Sequence, residues 1–297
     1  MQIIDAQIHD VGPWSDWTGE SAELQHRIAT ELVIAYLDAV GVHGVVLFPG
    51  GDHASADWGA AALPDRIAYI PHITPDAPDI DGAVRAAKKN HNRGQLGLRA
   101  IIGWPLDGRE VKRLEAGAWH PIFAACEKHQ VPLFLFISGW LPRATDIAAR
   151  FPRLTLILDH LGLRQPPLDD AEDPPFKSLP QLLELAKFPN VTVKLCGLPS
   201  LSREAYPYKD VAPRLRAVVD AFGAKRLMWA SDATRFAGRI GLGRFQNPRT
   251  LGPYPGKHTY AESMHFIRDS DVLTAAEKEA ILGGTARQVL GWSIAPK

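Results

Sequence analysis

Ile3-Ile4-Asp5-Ala6-Gln7-Ile8-His9 is the stretch on which the reading of this chain turns. It is a short apolar run that becomes polar toward its end. Residues two apart on a strand point the same way, so regular pleating puts Asp5, Gln7 and His9 on one face. A histidine at the C-terminal end of an early apolar strand suits an α/β barrel, whose chemistry collects at that end.

Seven more segments repeat the pattern. Strands are expected at Gly44–Phe48, Ile67–Ile73, Gly97–Ile102, Pro132–Ile137, Leu154–Asp159, Val191–Leu195 and Arg226–Ala230. Runs such as Leu133-Phe134-Leu135-Phe136-Ile137 are continuously apolar, as parallel strands buried on both faces require. Helix-like segments separate them at Leu24–Val40, Ile80–Asn90, Ile122–His129, Ala144–Arg150, Leu179–Lys187, Val211–Phe222 and Tyr260–Arg268. A last helix is expected over Ala275–Leu290, capped by Thr274 with Glu277. Eight strand–helix units predict one (β/α)8 TIM barrel spanning residues 1–297. A doubly wound open sheet is the runner-up, but no glycine-rich nucleotide loop follows any strand. Two long loops, Gln165–Lys177 after strand six and Phe236–Lys257 after strand eight, fall where barrel loops build sites.

The chain has 33 basic and 33 acidic residues, and so no global field to attract nucleic acid or a membrane. Its two cysteines, Cys126 and Cys196, read as reduced core thiols. The first residues lack the basic and long apolar regions of a signal peptide, and no apolar run approaches membrane-spanning length. A cytoplasmic protein is expected.

The unusual polar residues cluster at the strand ends. They are His9, His72, Arg99 with Trp104 after it, Ser138, Asp159-His160, Lys194 and Asp232. Only a barrel brings residues so far apart in sequence together. Each also has a plainer reading. A barrel-end histidine is often structural, Lys194 can be a buried partner of a carboxylate such as Asp5, and Asp52 and His53 can cap a helix.

The order Asp-x-Gln-x-His, Asp159-His160-Leu161-Gly162, Val193-Lys194-Leu195-Cys196-Gly197 and Ala230-Ser231-Asp232 resembles the amidohydrolase superfamily. It is most similar to the amidohydrolase-related branch of 2-pyrone-4,6-dicarboxylate lactonases, sugar lactonases and nonoxidative aromatic decarboxylases. Trp119-His120-Pro121-Ile122-Phe123 and Phe151-Pro152-Arg153-Leu154 fit it too. The resemblance implies a lactonase that opens a cyclic ester of a small carboxylic acid. Asp232 would be the general base, and His9, His160 and Gln7 would polarise the carbonyl. Arg99 and Lys194 would pair with a substrate carboxylate. His72, Ser138 and Arg235 would add contacts, and Trp104, Trp140 and Phe236 apolar walls. Arg239, Arg244 and Arg249 would extend the anion field, and Trp14 and Trp17 a wall or a subunit contact.

The branch usually carries His-x-His on strand one and, in metal-dependent members, a histidine on strand five. Here Gln7 stands at the first place, and strand five ends Phe136-Ile137-Ser138. A neutral amide is a poor transition-metal ligand. The first expectation is therefore that no cofactor is required. If a zinc or manganese ion binds, His9, Asp232 and His160 would hold it. The partners implied are a small anionic substrate and, as in much of the family, a second copy of the chain. The alternatives are a metal-dependent decarboxylase of an aromatic acid and a catalytically silent barrel that partners an active paralogue.

Overall fold

A computed structural model describes residues 1–9, 21–50, 53–165, 172–233 and 258–292. Arg235, the other loop arginines, Phe236, Trp14, Trp17, Asp52, residues 166–171 of the first long loop and all of the second lie outside those residues. All eight expected strands form: β1 Ile4–Ile8, β2 Gly44–Leu47, β3 Ile67–Tyr69, β4 Leu98–Ile101, β5 Leu133–Phe136, β6 Leu156–Leu158, β7 Val191–Lys194 and β8 Leu227–Met228. Each is shorter than its apolar run. The terminal residues of each run leave the ladder to begin the loops.

The strands pair in parallel as two ladders, β1-β2-β3 and β4-β5-β6-β7-β8. The seams carry isolated bridges instead of ladders, Tyr69 with Gln95 and His72 with Arg99 on one side and Ile8 with Ala233 on the other. Backbone bonds support them, among them Ala6 N to Trp229 O at 3.1 Å and Asp232 N to Gln7 O at 2.9 Å on one seam, and Arg99 N to Pro71 O at 2.9 Å and Ile73 N to Arg99 O at 3.0 Å on the other. The strand order is that of the expected (β/α)8 barrel.

Side chains divide into two layers by strand alternation. Val45, Leu47, Leu133, Leu135, Leu156, Leu158, Val191 and Val193 face the helices in the outer core. Val46, Phe48, Phe134, Ile157, Met228 and Ala230 fill the barrel interior. Continued past the strand ends, the interior columns turn polar: Ile157 gives way to Asp159, Thr192 to Lys194 and Ala230 to Asp232. The barrel floor is apolar and its mouth is charged.

β1 departs from regular pleating. Ile4 and Ala6 lie in the interior, yet Ile8 lies in the outer core. The register against β2 shifts between Asp5 and Ile8. This bulge puts Asp5 on the outer side of the barrel while Gln7 turns toward the mouth. The expectation that Asp5, Gln7 and His9 share a face is thereby corrected. Asp5 serves instead as a clasp. Its carboxylate accepts from Gln7 N at 3.1 Å, Ser231 N at 2.9 Å and Ser231 Oγ at 2.5 Å, and so ties β1 to the turn after β8.

The expected helices form with small shifts, and two more, Ala54–Ala62 and Arg109–Glu115, complete the outer layer. Thr274 and Glu277 make the anticipated capping box. The last helix is interrupted by a π turn at Ala280–Gly284. There Trp229 N takes the Ile281 carbonyl at 2.8 Å, which docks β8 on the widened turn. The same turn also packs on the start of β1, where Gly283 is required, since a Cβ would lie 2.3 Å from Gln2 O. Among the described residues no helix is long and apolar enough to cross a membrane.

Candidate active site

Gln7, His9, His160 and Asp232 converge at the mouth from β1, β6 and β8. The Asp232 carboxylate accepts from Gln7 Nε2 at 2.6 Å and stands 3.0 Å from His9 Nε2. His160 Nε2 lies 3.4 Å from Gln7 Nε2 and 4.0 Å from Asp232 Oδ2. Asp232 and His160 are buried, while His9 keeps partial exposure. His9 Nδ1 lies 3.0 Å from the Phe48 carbonyl. A carbonyl only accepts, so that nitrogen carries hydrogen and Nε2 is the one turned to Asp232.

The fold fixes these groups against backbone preference. Asp232 has φ 52° and His160 φ 52°, both left-handed and both non-glycine. Such conformations cost on the order of 1–3 kcal/mol each and persist where the surroundings over-determine them. For Asp232 the surroundings are the Asp5–Ser231 clasp and its own N–H on Gln7 O at 2.9 Å. For His160, Gln165 Nε2 bonds its carbonyl at 3.1 Å and the ring packs edge-on against Phe136. Burial pushes the His160 imidazole down to about 3 despite the opposing charges of Asp232 and Asp159, so it is neutral near pH 7.

A second charged group lies beside this one. Asp159 Oδ2 accepts from Arg99 Nε at 2.7 Å and its Oδ1 meets Lys194 Nζ at 2.7 Å. Burial raises the Asp159 carboxyl, but the charges of Lys194 and Arg99 outweigh it and hold the group at about 2. Lys194 is fully buried over the Phe48 and Phe134 rings and also donates to Gln7 Oε1. Its partner is thus Asp159 rather than Asp5, and it lies beneath the mouth, away from the cavity. The sequence showed Asp159 at a strand end without revealing this pairing.

A cavity of about 320 Å³ opens against His9, His72, Arg99, Trp104 and Phe136. A second lobe of about 230 Å³ shares His72, Arg99 and Trp104 and continues toward Arg109 and Arg113. Three of the proposed substrate-binding residues therefore line one cleft next to His9. Ser138 does not line it, because its hydroxyl is spent on the Leu163 carbonyl at 2.9 Å. A larger cavity of about 550 Å³ lies among outer helices at His120, Arg143 and Phe151, far from the converging groups.

A family model described as Amidohydrolase matches residues 4–292. The chain belongs to the amidohydrolase family. Over 106 residues this amidohydrolase is 41% identical to the L-fucono-1,5-lactonase of Burkholderia ambifaria, covering 34% of each chain. It is 36% identical over 89 residues to the 4-sulfomuconolactone hydrolase of Hydrogenophaga intermedia, covering 29% of this chain and 28% of that one. The chain spans about a third of the length of the curated relatives it matches. An amidohydrolase from Burkholderia multivorans, crystallised with bound zinc, superposes with TM-score 0.70 at 21% identity over 99% of this chain and 100% of that one.

Among the described residues, His160, Cys196 and Asp232 each bring a ligand atom to within 4.8 Å of one another, so this amidohydrolase has donor types that can accept a divalent ion. Two features bear on a metal in the present arrangement. Burial, reinforced by Asp232, pushes the Cys196 thiol well above its ordinary range, so an ion seated there would have to displace its proton. The space framed by His9, His160 and Asp232 holds the Gln7 amide nitrogen, 3.5, 3.4 and 2.6 Å from them. An amide NH2 has no lone pair to give a metal.

Proposed function

We propose that this amidohydrolase is a lactonase, opening the cyclic ester of a small carboxylic acid without a required metal. The observation that carries the reading is the Asp232 carboxylate, held 2.6 Å from Gln7 Nε2 and 3.0 Å from His9 Nε2 beside a cleft floored by Arg99. The lactonase and lactone hydrolase named among its relatives support it.

In this mechanism Asp232 takes a proton from water as the water oxygen adds to the lactone carbonyl. His9 in its imidazolium form, with Nδ1–H on the Phe48 carbonyl, donates from Nε2–H to the oxygen that gains charge. Collapse breaks the ring C–O bond, and the alkoxide leaves with the proton returned from the His9–Asp232 pair. Water and lactone give a hydroxy acid. Arg99, with Nε on Asp159, turns the rest of its guanidinium toward substrate oxygens, and Trp104 walls the ring. Arg99 is the cation that lines the cleft beside His9, and it favours an anionic substrate.

The decarboxylase alternative needs an ion on His9 and Asp232, where the Gln7 amide now lies. A silent barrel has no need of two strained residues at a cleft. Two buried free thiols suit the reducing cytoplasm, where we place the protein. The test is acid release, followed by pH indicator, across aldonolactones and lactones of dicarboxylic acids. Turnover of at least one that disappears in Asp232→Asn is expected, and failure to open any of them defeats the reading.

A further inference from the structure

Gln7 replaces a usual ligand residue, and its surroundings show what the replacement does. The carboxamide lies between two groups of opposite hydrogen-bonding character. Lys194 Nζ only donates and meets Oε1, while the Asp232 carboxylate accepts Nε2 at 2.6 Å. Turning the amide over would set its oxygen against the carboxylate and its NH2 against the ammonium. The orientation is therefore decided by chemistry and is not open to the usual amide ambiguity.

With that orientation the NH2 lies where a ligand-bound ion would lie, 3.5 Å from His9 Nε2 and 3.4 Å from His160 Nε2. Zinc stands roughly 2.0–2.2 Å from each nitrogen or oxygen ligand, and the NH2 already fills that volume. Lys194 cannot drift away, because Asp159 holds it at 2.7 Å and the Phe48 and Phe134 rings lie 4.1 and 4.9 Å from its ammonium. Its charge also polarises the amide, strengthening the N–H bond to Asp232. A divalent ion would further meet Lys194 and Arg99 across a buried region whose one intervening anion, Asp159, is already shared by both.

We propose that Lys194 is a positioning residue that locks the Gln7 carboxamide into the cation seat among His9, His160 and Asp232, and so excludes divalent metal from it. The inference rests on the metal-free lactonase reading but concerns metal occupancy, which is measured independently of turnover.

The purified full-length chain is incubated with zinc or cobalt(II), passed through a desalting column and assayed for bound metal by mass spectrometry and for cobalt absorption bands. The parent is expected to retain well under one equivalent. Gln7→His, which restores a ligand, should retain one. Lys194→Met, which frees the amide to turn its oxygen inward, should bind zinc roughly 10–100-fold more tightly than the parent, the size of effect that groups behind a ligand have on metal affinity, here with the opposite sign because Lys194 holds the amide against the metal. Gln7→Glu, nearly isosteric and less disruptive, should also retain one equivalent if Gln7→His fails to fold.

A parent that holds one equivalent of zinc against chelator overturns the proposal. So does a cobalt band with thiolate character that Cys196→Ser removes, since that places the ion on His160, Cys196 and Asp232. Folded Gln7→His and Gln7→Glu proteins that both stay metal-free overturn it as well. A parent that excludes metal but opens no lactone leaves the seat as assigned and defeats only the lactonase reading.

Discussion

Asp159 and Asp232 follow β6 and β8 of the same barrel and both are buried at its mouth, yet their neighbours differ in kind. Asp159 faces Arg99 and Lys194, two permanent cations, and is held at about 2. Asp232 faces the neutral Gln7 amide and His9, whose charge depends on pH. A carboxylate clamped by full charges cannot exchange protons near neutrality, whereas one bonded to a neutral donor and an imidazole has a proton partner within reach. On the proposed reading, one barrel uses a carboxylate as a structural anion on one side and as a base on the other.

The largest expected effect breaks the second half of that contrast. Asp232→Asn removes the base while keeping shape and oxygen position, so kcat should fall by roughly 10²–10⁴-fold. Circular dichroism and the unfolding midpoint should stay near the parent's. A variant with parental kcat would show that Asp232 takes no proton. Asp159→Ala breaks the first half. It strands Lys194 and Arg99 without their shared anion, and stability should drop by about 3–5 kcal/mol in urea unfolding, as loss of one buried ion partner does. A loss below 1 kcal/mol would mean that the two cations find other partners.

The pH dependence of stability separates three carboxyl and imidazole groups. The His160 imidazole falls from 6.5 to about 3 through burial, so the unfolded chain takes its proton first and stability is lost as pH falls below 6.5. Burial lifts Asp5 from 3.8 to about 6 against the Ser231 bonds, so the folded chain takes that proton first and stability is gained as pH falls from 6 to 3.8. These slopes, about 1.4 kcal/mol per pH unit each, oppose one another. Asp159, lowered from 3.8 to about 2, adds a loss only below 3.8. Urea unfolding should therefore be nearly level from pH 6 to 4 and fall steeply below. In Asp5→Asn the compensation vanishes, and the variant should lose roughly 3 kcal/mol more than the parent between pH 6 and 4. Parallel pH profiles for the two proteins would refute the assignment to Asp5.

The eight strands were legible because their apolar runs are dense and evenly spaced, His9, His160 and Asp232 because each stands at or just past the end of such a run, and Arg99 because it is a charge inside one. The bulge in β1 was not. Ile4-Asp5-Ala6-Gln7-Ile8 alternates as a regular strand would, and the shift exists only in its pairing with β2. The Asp159–Lys194 pair was hidden for a similar reason, since contact between β6 and β7 ends depends on stagger and not on spacing. The helix Ala54–Ala62 was foreshadowed only by the capping reading of Asp52 and His53, because its alanines give no polar face to contrast with a buried one, and the His53 side chain makes no capping bond. Arg109–Glu115 is short and mostly charged, as a surface loop would be.

Arg99 touches both halves of the comparison, and the smallest expected effect tests whether its two roles separate. Its Nε holds Asp159 at 2.7 Å, while its side chain also borders the cleft with His72 and Trp104. Arg99→Lys retains a cation that can still pair with Asp159, so stability should stay within about 1 kcal/mol of the parent. It removes the planar fork that can hold Asp159 and two substrate oxygens together. On the best lactone KM should rise about tenfold, some 1.4 kcal/mol, with kcat little changed, because binding is lost equally in the ground and transition states. An equal fall in kcat and kcat/KM would instead place Arg99 on the oxygen that gains charge during attack, shifting part of the oxyanion stabilisation from the His9–Asp232 side of the mouth to the Asp159 side.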